Sequence, residues 1–420
     1  MKKSIMAFFA VAAGVAFALP TVKEGSVTLS QDAATGHVTI GYTLEGDPGV
    51  VTLDVLTNGV SIGGENLRRL GGDVNRKIAT LGAKTISWIP EQSVKGFKLE
   101  NADVKAVVTA WPTNNLPDYL VVDLSMREKY YFYPNEGQLP HGVTSHIYKT
   151  SLLVMRKIPA AGKTFRMGSP ANETGRTEEY EAPHYVSFAN DFYLGIYEFT
   201  KGQAKALLYE YVENYGDAGA SQYGYAAEYD EWPIEGMPYS YLRGSTSGWP
   251  NVGRGHGSES FVIPQARARA KLCIDFPTDA EWEFACRAGE GAARYDGTDD
   301  DSTLENLAWY AQNSGGTMHP VGLKKPNAWG LYDMYGNARE WTHSFFERYG
   351  EASAQLDPPG WVGVNSGNNQ VDQDGGYSKI GRGGAYDDNA SCCRSAHRKK
   401  IGISTTEGMG YRAWCEAVIP

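Results

Sequence analysis

The chain of 420 residues has no cluster of basic residues, and after its first twenty residues it has no long apolar run. Without such a run it cannot form a membrane-spanning helix of the usual length. It has 39 basic and 49 acidic residues, giving a net charge of −10, which argues against general binding to nucleic acids or anionic lipids. We therefore expect no nucleic-acid partner and no membrane span.

Several catalytic signatures are also missing. The sequence contains no Gly-x-Ser-x-Gly elbow, no His-Glu-x-x-His pair and no Walker loop. The glycines at 253, 255 and 257 do not complete a dinucleotide-binding fingerprint. The eight histidines are dispersed, and an isolated histidine beside aromatic residues is commonly part-buried as a packing residue. The sequence thus indicates no serine hydrolase, zinc protease or nucleotide-binding site.

The first eighteen residues have the three parts of a secretory signal peptide. Lys2 and Lys3 begin the chain, residues 5–15 are apolar, and Ala16-Phe17-Ala18 is a small-x-small cleavage site. No cysteine follows this site, which argues against a lipid anchor there. We expect residues 1–18 to be removed and the protein to be exported to the periplasm or the extracellular space.

Residues 19–125 are expected to form an all-β domain. Seven short β-branched or alternating runs are separated by turn residues such as Gly46-Asp47-Pro48-Gly49 and Asn58-Gly59. The runs are 27–29, 37–44, 50–56, 85–89, 97–99, 104–110 and 119–124. This pattern predicts an antiparallel immunoglobulin-like sandwich that serves as a spacer or an interaction module.

Residues 126–150 are read as a linker that packs on a neighbour, because four adjacent aromatic residues occupy 130–133. From residue 151 the chain becomes rich in Gly, Tyr and Trp, and only two helices are clear. One is predicted over 201–215, with Thr200 as N-cap, Gln203 three residues on as in a capping box, and Gly216 as the stop. The other follows Pro277, with a capping box formed by Thr278 and Glu281. The remainder should be short strands and long loops.

The stretch 327–342 holds four aromatic residues, two glycines and two carboxylates without helical or strand periodicity. Asp333 and Glu340 can supply carboxylate oxygens, and the turn at Gly336-Asn337 can supply backbone carbonyls. An oxygen-only set of this kind suits a hard cation such as calcium. The alternative is that both acids are solvated loop residues.

Residues 151–417 carry an ordered series of motifs that resembles a known family. They are residues 165–169 (Phe-Arg-Met-Gly-Ser), 183–186, 192–200, 276–285 (Phe-Pro-Thr-Asp-Ala-Glu-Trp-Glu-Phe-Ala), 319–322, 327–342, 382–386 (Arg-Gly-Gly-Ala-Tyr), 393–398 (Cys-Arg-Ser-Ala-His-Arg) and 410–412 (Gly-Tyr-Arg). The series resembles the formylglycine-generating enzyme family, the sulfatase-modifying-factor domain. The resemblance implies a C-type-lectin-like fold of mixed α+β class with much irregular loop, over residues 151–420.

The resemblance also implies a calcium site in the stretch 327–342. The matching positions are Asp333, Gly336, Ala338 and Glu340, of which the family uses two side chains and two backbone carbonyls. The expected role of this calcium is structural, because it fixes the loop. The family's other calcium site has no evident counterpart in this chain.

The implied chemistry is less complete. Catalytic members bind copper(I) with two cysteines four residues apart, just after a Gly-Gly-Ser-Tyr/Trp motif, and oxidise a sulfatase cysteine to formylglycine. This chain has Ala385 at the serine position and no Cys-x4-Cys in residues 387–393. Only the adjacent Cys392 and Cys393 could serve, and adjacent side chains rarely converge on one copper ion, which selects soft thiolates.

The resemblance and the expected export together suggest disulfides. Family members often bridge the positions of Cys286 and Cys393, or Cys392 if the register shifts, and Cys273 could then pair with Cys415. One cysteine, most simply Cys392, is left over as either a buried inert thiol or a reactive one.

Two functions remain open from the sequence. The first is a non-catalytic binding module, whose loops 239–259 and 349–377 recognise another protein or a glycan, since they are rich in Gly, Ser, Asn, Tyr and Trp. The alternative is a copper-dependent oxidoreductase of the formylglycine-generating type, in which Cys392 and Cys393 form an atypical site.

Overall fold

The computed structural model describes residues 18–90, 93–101, 103–208, 229–243, 262–346, 355–357 and 378–419. The predicted signal peptide lies outside these residues except for Ala18. The two predicted recognition loops also lie outside them, apart from residues 239–243 and 355–357. The described residues divide into two compact units, one within residues 18–61 and 68–113 and one within residues 62–67 and 114–419.

The first unit contains two antiparallel sheets. The strands of one sheet are β1 (Thr21–Val22), β2 (Thr28–Gln31), β3 (Val38–Glu45), β6 (Gly71–Gly72) and β8 (Gly82–Trp88). Those of the other are β4 (Gly49–Thr57), β5 (Val60–Ser61), β7 (Arg76–Ile78) and β9 (Val104–Trp111). In β3 every second side chain is buried, as expected for a strand with one face on a core. The more specific immunoglobulin-like assignment stays a prediction.

One predicted strand of this unit is wrong. Residues 97–99 form no strand, and a 3₁₀ turn occupies Leu99–Asn101 instead. The turn is tied to the sheet by Gln31, whose side chain accepts from the Leu99 backbone N–H (3.0 Å) and donates to the Phe97 carbonyl (3.0 Å). The side chain thus replaces the ladder bonds that a strand would have made.

The second unit is a mixed domain with many short strands. A six-stranded sheet runs in the order β11-β10-β12-β15-β24-β16. Its strands are β10 (Tyr119–Asp123), β11 (Tyr130–Tyr133), β12 (Leu152–Ile158), β15 (Phe192–Gly195), β16 (Ile274–Asp275) and β24 (Trp414–Glu416).

Three smaller sheets complete the second unit. They contain β13 (Thr164–Met167), β14 (His184–Phe188) and β20 (Gln355–Asp357), then β17 (Ala308–Trp309) and β18 (Tyr335–Gly336), and finally β19 (Arg339–Phe345), β21 (Ser378–Arg382), β22 (Lys399–Gly402) and β23 (Met409–Gly410).

The sheet order differs from the predicted domain boundary at residue 125. Strand β10 was assigned to the N-terminal domain, but it pairs with both β11 and β12 in the second unit. Strand β11 lies in the predicted linker, and its pairing with β10 explains why that segment carries four adjacent aromatic residues. Both pairing partners of β10 lie beyond residue 125, so the pattern within residues 19–125 does not report them.

Four helices are described: α1 (Lys201–Leu207), α2 (Tyr239–Arg243), α3 (Val262–Ala270) and α4 (Asp279–Arg287). Both predicted capping boxes are present, Thr200 with Gln203 on α1 and Thr278 with Glu281 on α4. Helix α1 ends at Leu207, earlier than the predicted residue 215, and residues 209–228 lie outside the described part of the chain. None of the described helices has the length and apolar character needed to cross a membrane.

Candidate functional site

The stretch 327–342 is buried throughout residues 333–342, whereas Ala328 before them is exposed. Asp333 and Glu340 are each only 1 % exposed. The alternative that these acids are solvated loop residues is therefore wrong. The stretch is irregular between β18 and β19, so the surrounding side chains must satisfy its polar groups.

A tight turn joins β18 to β19 through Gly336, Asn337 and Ala338. Gly336 has φ 69°, and a Cβ there would lie 1.9 Å from the Trp309 carbonyl oxygen, so only glycine fits. Asn337 is also left-handed, with φ 57°. Two adjacent left-handed residues need support from outside the turn.

Glu198 and His319 provide that support. One carboxylate oxygen of Glu198 accepts from the Asn337 side-chain amide (2.7 Å), and the other accepts from the Ala338 backbone N–H (2.8 Å). The Asn337 side chain also accepts from the His319 backbone N–H (2.9 Å) and donates to the His319 carbonyl (3.1 Å). Three motifs that are distant in sequence thus meet at this turn.

Asp333 has one engaged and one unengaged carboxylate oxygen. Its Oδ2 accepts from the Gly322 backbone N–H (2.6 Å), whereas its buried Oδ1 has no hydrogen-bond partner in the described part of the chain. A buried carboxylate oxygen without a partner is costly, so it favours binding of a proton or a cation.

Glu340 is held by side chains from two other motifs. Trp282 Nε1 donates to its Oε2 (2.7 Å), and the Arg412 guanidinium donates to its Oε1 (2.7 Å) and Oε2 (3.2 Å). Arg412 also donates to the Gly195 carbonyl (2.9 Å) and the Tyr332 carbonyl (2.8 Å). Each carboxylate oxygen has two lone pairs, so these bonds leave Glu340 further acceptor capacity.

When ionised, Glu198, Asp333 and Glu340 carry three negative charges, more than the single positive charge of Arg412 can balance. Burial raises the pKa of Asp333 to about 6, against the lowering effect of the Gly322 N–H. Burial, with the neighbouring Asp333 and Glu340, raises the pKa of Glu198 well above its ordinary value. Glu198, Asp333 and Glu340 together therefore favour a proton or a cation at this place.

The predicted calcium ligands include only two side chains, Asp333 and Glu340, with Gly336 and Ala338 contributing backbone carbonyls. In the described part of the chain, no group of three or more His, Cys, Asp or Glu side chains is arranged to hold a metal ion. The observation that fits calcium is the unpartnered Asp333 oxygen, since calcium prefers oxygen ligands.

A second network of buried charges surrounds helix α4. Arg382 binds Asp279 and Glu283, the latter at 3.0 Å, and Arg398 binds Asp279 (2.9 Å). Arg394 pairs with Glu181 (2.8 Å) and also binds Glu173. Removing one partner of such a buried pair typically costs about 3–5 kcal/mol, so these residues tie the motif segments together.

The segment after Gly383-Gly384 carries two adjacent thiols, Cys392 and Cys393. Cys392 is half-buried at the end of a 3₁₀ turn (Ala390–Cys392), and Cys393 is fully buried in the core. Burial raises the pKa of both thiols, which disfavours the thiolate form that copper(I) selects.

All five cysteines are free thiols in the structure, so neither predicted disulfide is formed in it. The Cys286 sulfur lies 3.7 Å from Ser395 Oγ, and burial raises the pKa of Cys286 to about 12. Strand pairing places Ile274 opposite Cys415, which leaves Cys273 one residue out of register. Cys273 directly precedes β16 and is close enough to Cys415 to contribute, after burial, to the raised pKa of the Cys415 thiol.

Comparison with known proteins finds the same family that the ordered motifs resemble. The family model described as "Sulfatase-modifying factor enzyme 1-like domain" matches residues 153–416, which is more than half of the chain. The chain belongs to this family.

Individual members of the sulfatase-modifying-factor family are distant relatives of the chain. The formylglycine-generating enzyme of Bos taurus is 28% identical over 152 residues, covering 32% of this chain and 37% of that protein. The "Inactive C-alpha-formylglycine-generating enzyme 2" of Mus musculus is 30% identical over 100 residues, covering 22% of this chain and 32% of that protein. The chain thus spans about a third of the length of these two curated relatives.

One solved structure resembles the chain over a longer stretch. The structure of PvdO from Pseudomonas aeruginosa covers 63% of this chain and 94% of that protein, at 22% identity and a TM-score of 0.47.

Sequence reasoning missed several residues of the central network. Glu198, Trp282, Arg412 and the side chain of Asn337 all lie within the family motifs, but the sequence does not say which motif residues touch one another. Their common signal was the presence of a polar or large side chain inside a family motif. That signal marks a buried, hydrogen-bonded role without naming the partner.

Proposed function

We propose that this protein is an exported, non-catalytic binding protein, built on a sulfatase-modifying-factor scaffold that a calcium ion stabilises. The observation that carries the proposal is the segment where the catalytic members have their cysteine pair. Here Asp388 occupies the segment, and its carboxylate pairs with Arg339 and with Lys399 (3.4 Å). A carboxylate committed to two cations, in a segment without a Cys-x4-Cys pair, supports loss of the copper chemistry.

The calcium part of the proposal rests on Asp333. Asp333 and Glu340 would hold the ion with their side chains, and Gly336 and Ala338 with their carbonyls. Calcium would supply positive charge to a buried site that holds three carboxylates and one guanidinium, and it would fix the turn between β18 and β19.

The binding surface in this proposal is formed by loops 239–259 and 349–377, with another protein or a glycan as partner. Most of these residues lie outside the described part of the chain, so the support comes from composition: Tyr, Trp, Ser, Gly and Asn suit adaptable recognition.

The test is an oxidation assay with a peptide that contains Cys-x-Pro-x-Arg. The mature protein, supplied with copper(I) and oxygen, should leave the peptide cysteine unchanged by mass spectrometry, while the bovine formylglycine-generating enzyme converts it. If this protein converts the peptide cysteine, and Cys392→Ser or Cys393→Ser abolishes the conversion, the non-catalytic proposal is wrong.

The alternative is a copper-dependent oxidoreductase that converts a sulfatase cysteine to formylglycine with an atypical site. It is supported by the family membership and by relatives that are formylglycine-generating enzymes. The same assay decides between the two functions, because only the alternative predicts an aldehyde product.

A further inference from the structure

Glu198 differs from three other buried glutamates of the second unit. Glu181, Glu283 and Glu340 each form an ion pair with an arginine. Glu198 is fully buried, yet among the described residues its two oxygens accept only from an amide side chain and a backbone N–H, those of Asn337 and Ala338. A buried carboxylate without an ion pair is expensive, so its position calls for a specific role.

The two groups that Glu198 holds lie in residues 336–338, which we call the calcium turn. Asn337 separates Gly336 and Ala338, the two residues whose carbonyls are predicted ligands. Its φ of 57° lies in the left-handed region, which is costly for a residue with a Cβ. By binding the Asn337 side chain and the Ala338 N–H, Glu198 fixes both this residue and the next one.

We propose that Glu198 is a positioning residue for calcium, which holds residues 336–338 in the binding conformation without contacting the ion. This inference rests on the proposed calcium site. Both oxygens of Glu198 accept short hydrogen bonds, and it forms no metal-ligating group with other acidic, His or Cys side chains of the described chain. When residues that hydrogen-bond to metal ligands are substituted, metal affinity commonly falls, as a positioning role for Glu198 requires.

The sequence distance between the partners explains why the role matters. Glu198 follows strand β15, whereas Asn337 precedes β19, so the turn is held by a contact across the domain and not by its own sequence. Without the contact to Glu198 the turn residues would sample other conformations. The conformational entropy lost in ordering them would then oppose calcium binding.

The experiment uses the full mature chain and the Glu198→Gln variant. Glutamine keeps the size and can still accept from the Ala338 N–H. Its amide group, however, would face the Asn337 amide, which places two donors against each other. Calcium affinity is measured by calorimetry. Terbium(III), a calcium surrogate, is followed through luminescence sensitised by Tyr332, Tyr335 or Trp341 of the loop.

We expect Glu198→Gln to bind calcium about 10- to 100-fold more weakly than the wild type. The matched control is Glu283→Gln, which alters an equally buried glutamate bonded to Gly168, Arg287 and Arg382 and not to the calcium turn. It should keep the wild-type calcium affinity even where it lowers stability. Asn337→Gly retains the left-handed turn and removes the side-chain link to Glu198, so it should weaken binding without depending on whether Glu198→Gln folds.

The possible outcomes separate the proposed calcium site from the proposed role of Glu198. If the wild type binds neither calcium nor terbium, the calcium site of the proposed function fails, and this inference fails with it. If the wild type binds and neither Glu198→Gln nor Asn337→Gly weakens binding, the inference is overturned and the calcium site stands. Equal weakening in Glu283→Gln would show a general effect of stability, which also overturns it.

Discussion

Asp333 and Lys379 show what burial does to single ionisable groups in this protein. Asp333 lacks a partner for one oxygen. Lys379 donates to the His343 carbonyl (2.7 Å) and lies over the Phe345 ring, 3.3 Å from its centroid. Burial moves the two pKa values in opposite directions, because in each case it disfavours the charged form.

We expect calcium to stabilise the wild type more at pH 7.5 than at pH 5. The folded pKa of Asp333, raised from 3.8 to about 6, means that the calcium-free folded state takes up a proton as pH falls through 6. Calcium must displace that proton at low pH and need not at high pH. The measurement is the shift in Tm between calcium and EGTA at both pH values. Asp333→Asn should abolish most of the shift, and a shift of the same size at both pH values would contradict the assignment.

Lys379→Met should make stability less dependent on pH in alkaline solution. The folded pKa of Lys379 is lowered well below 10.5, so the unfolded chain binds the proton more readily. Below pH 10.5 this favours unfolding, and the penalty disappears as pH rises. Relative to the variant, the wild type should gain up to about 1.4 kcal/mol per pH unit within the window below 10.5.

The check on Lys379 is urea denaturation at several pH values from 8 to 10.5. Lys163, an exposed lysine in the same unit, provides the control as Lys163→Met. That variant should follow the wild type at every pH. Parallel stability curves for Lys379→Met and the wild type would refute the expectation of a neutral buried amine.

At the scale of elements, helix α4 connects the local sequence to the central site. Its capping box is made by Thr278 Oγ1 with the Glu281 N–H (3.1 Å) and by Glu281 with the Thr278 N–H (2.8 Å). One turn further, Trp282 binds Glu340. The start of the helix therefore sets the position of a residue that touches the candidate calcium site.

Thr278→Ala should destabilise the protein by about 1 kcal/mol, because removing the hydroxyl cap leaves an N–H of the first helical turn without its acceptor. Thr278→Ser retains the hydroxyl and should lose much less. Chemical denaturation of both variants measures the difference. If serine proved as damaging as alanine, the hydroxyl cap would not be what matters at this position.

The same element shows what could be predicted locally. Both capping boxes were predicted and are confirmed, because they need only residues three apart in sequence. The strand predicted over 97–99 failed because Gln31, a residue far along the chain, satisfies that backbone. The assignment of β10 to the first domain failed for the same kind of reason, since its partners follow it in the chain.

At the scale of the whole molecule, a short segment from the N-terminal part of the sequence belongs to the second unit. Ile62–Leu67 clusters with that unit, and Gly64 lies against the Gln138 backbone. A Cβ at Gly64 would be 2.0 Å from the Gln138 carbonyl oxygen, so the approach requires glycine.

Gly64→Ala should therefore destabilise the second unit by roughly 1–3 kcal/mol, as overpacking against backbone does. Hydrogen exchange should rise in peptides that contain residues 136–139 and stay unchanged in β3 and β4. Gly291→Ala is the matched control, because a Cβ there meets nothing within 4 Å. Faster exchange confined to β3 and β4 would show that the segment acts in the first unit instead.

The sequence by itself determined the caps, most strands of the first unit and the family, because each depends on neighbouring residues or on an ordered set of motifs. Only the tertiary structure decided that Asp333 and Glu340 are buried and that Glu198 binds the turn of residues 336–338. It also decided that Cys393 lies in the core. These facts depend on contacts between residues far apart in the chain, and burial then sets which groups carry charge.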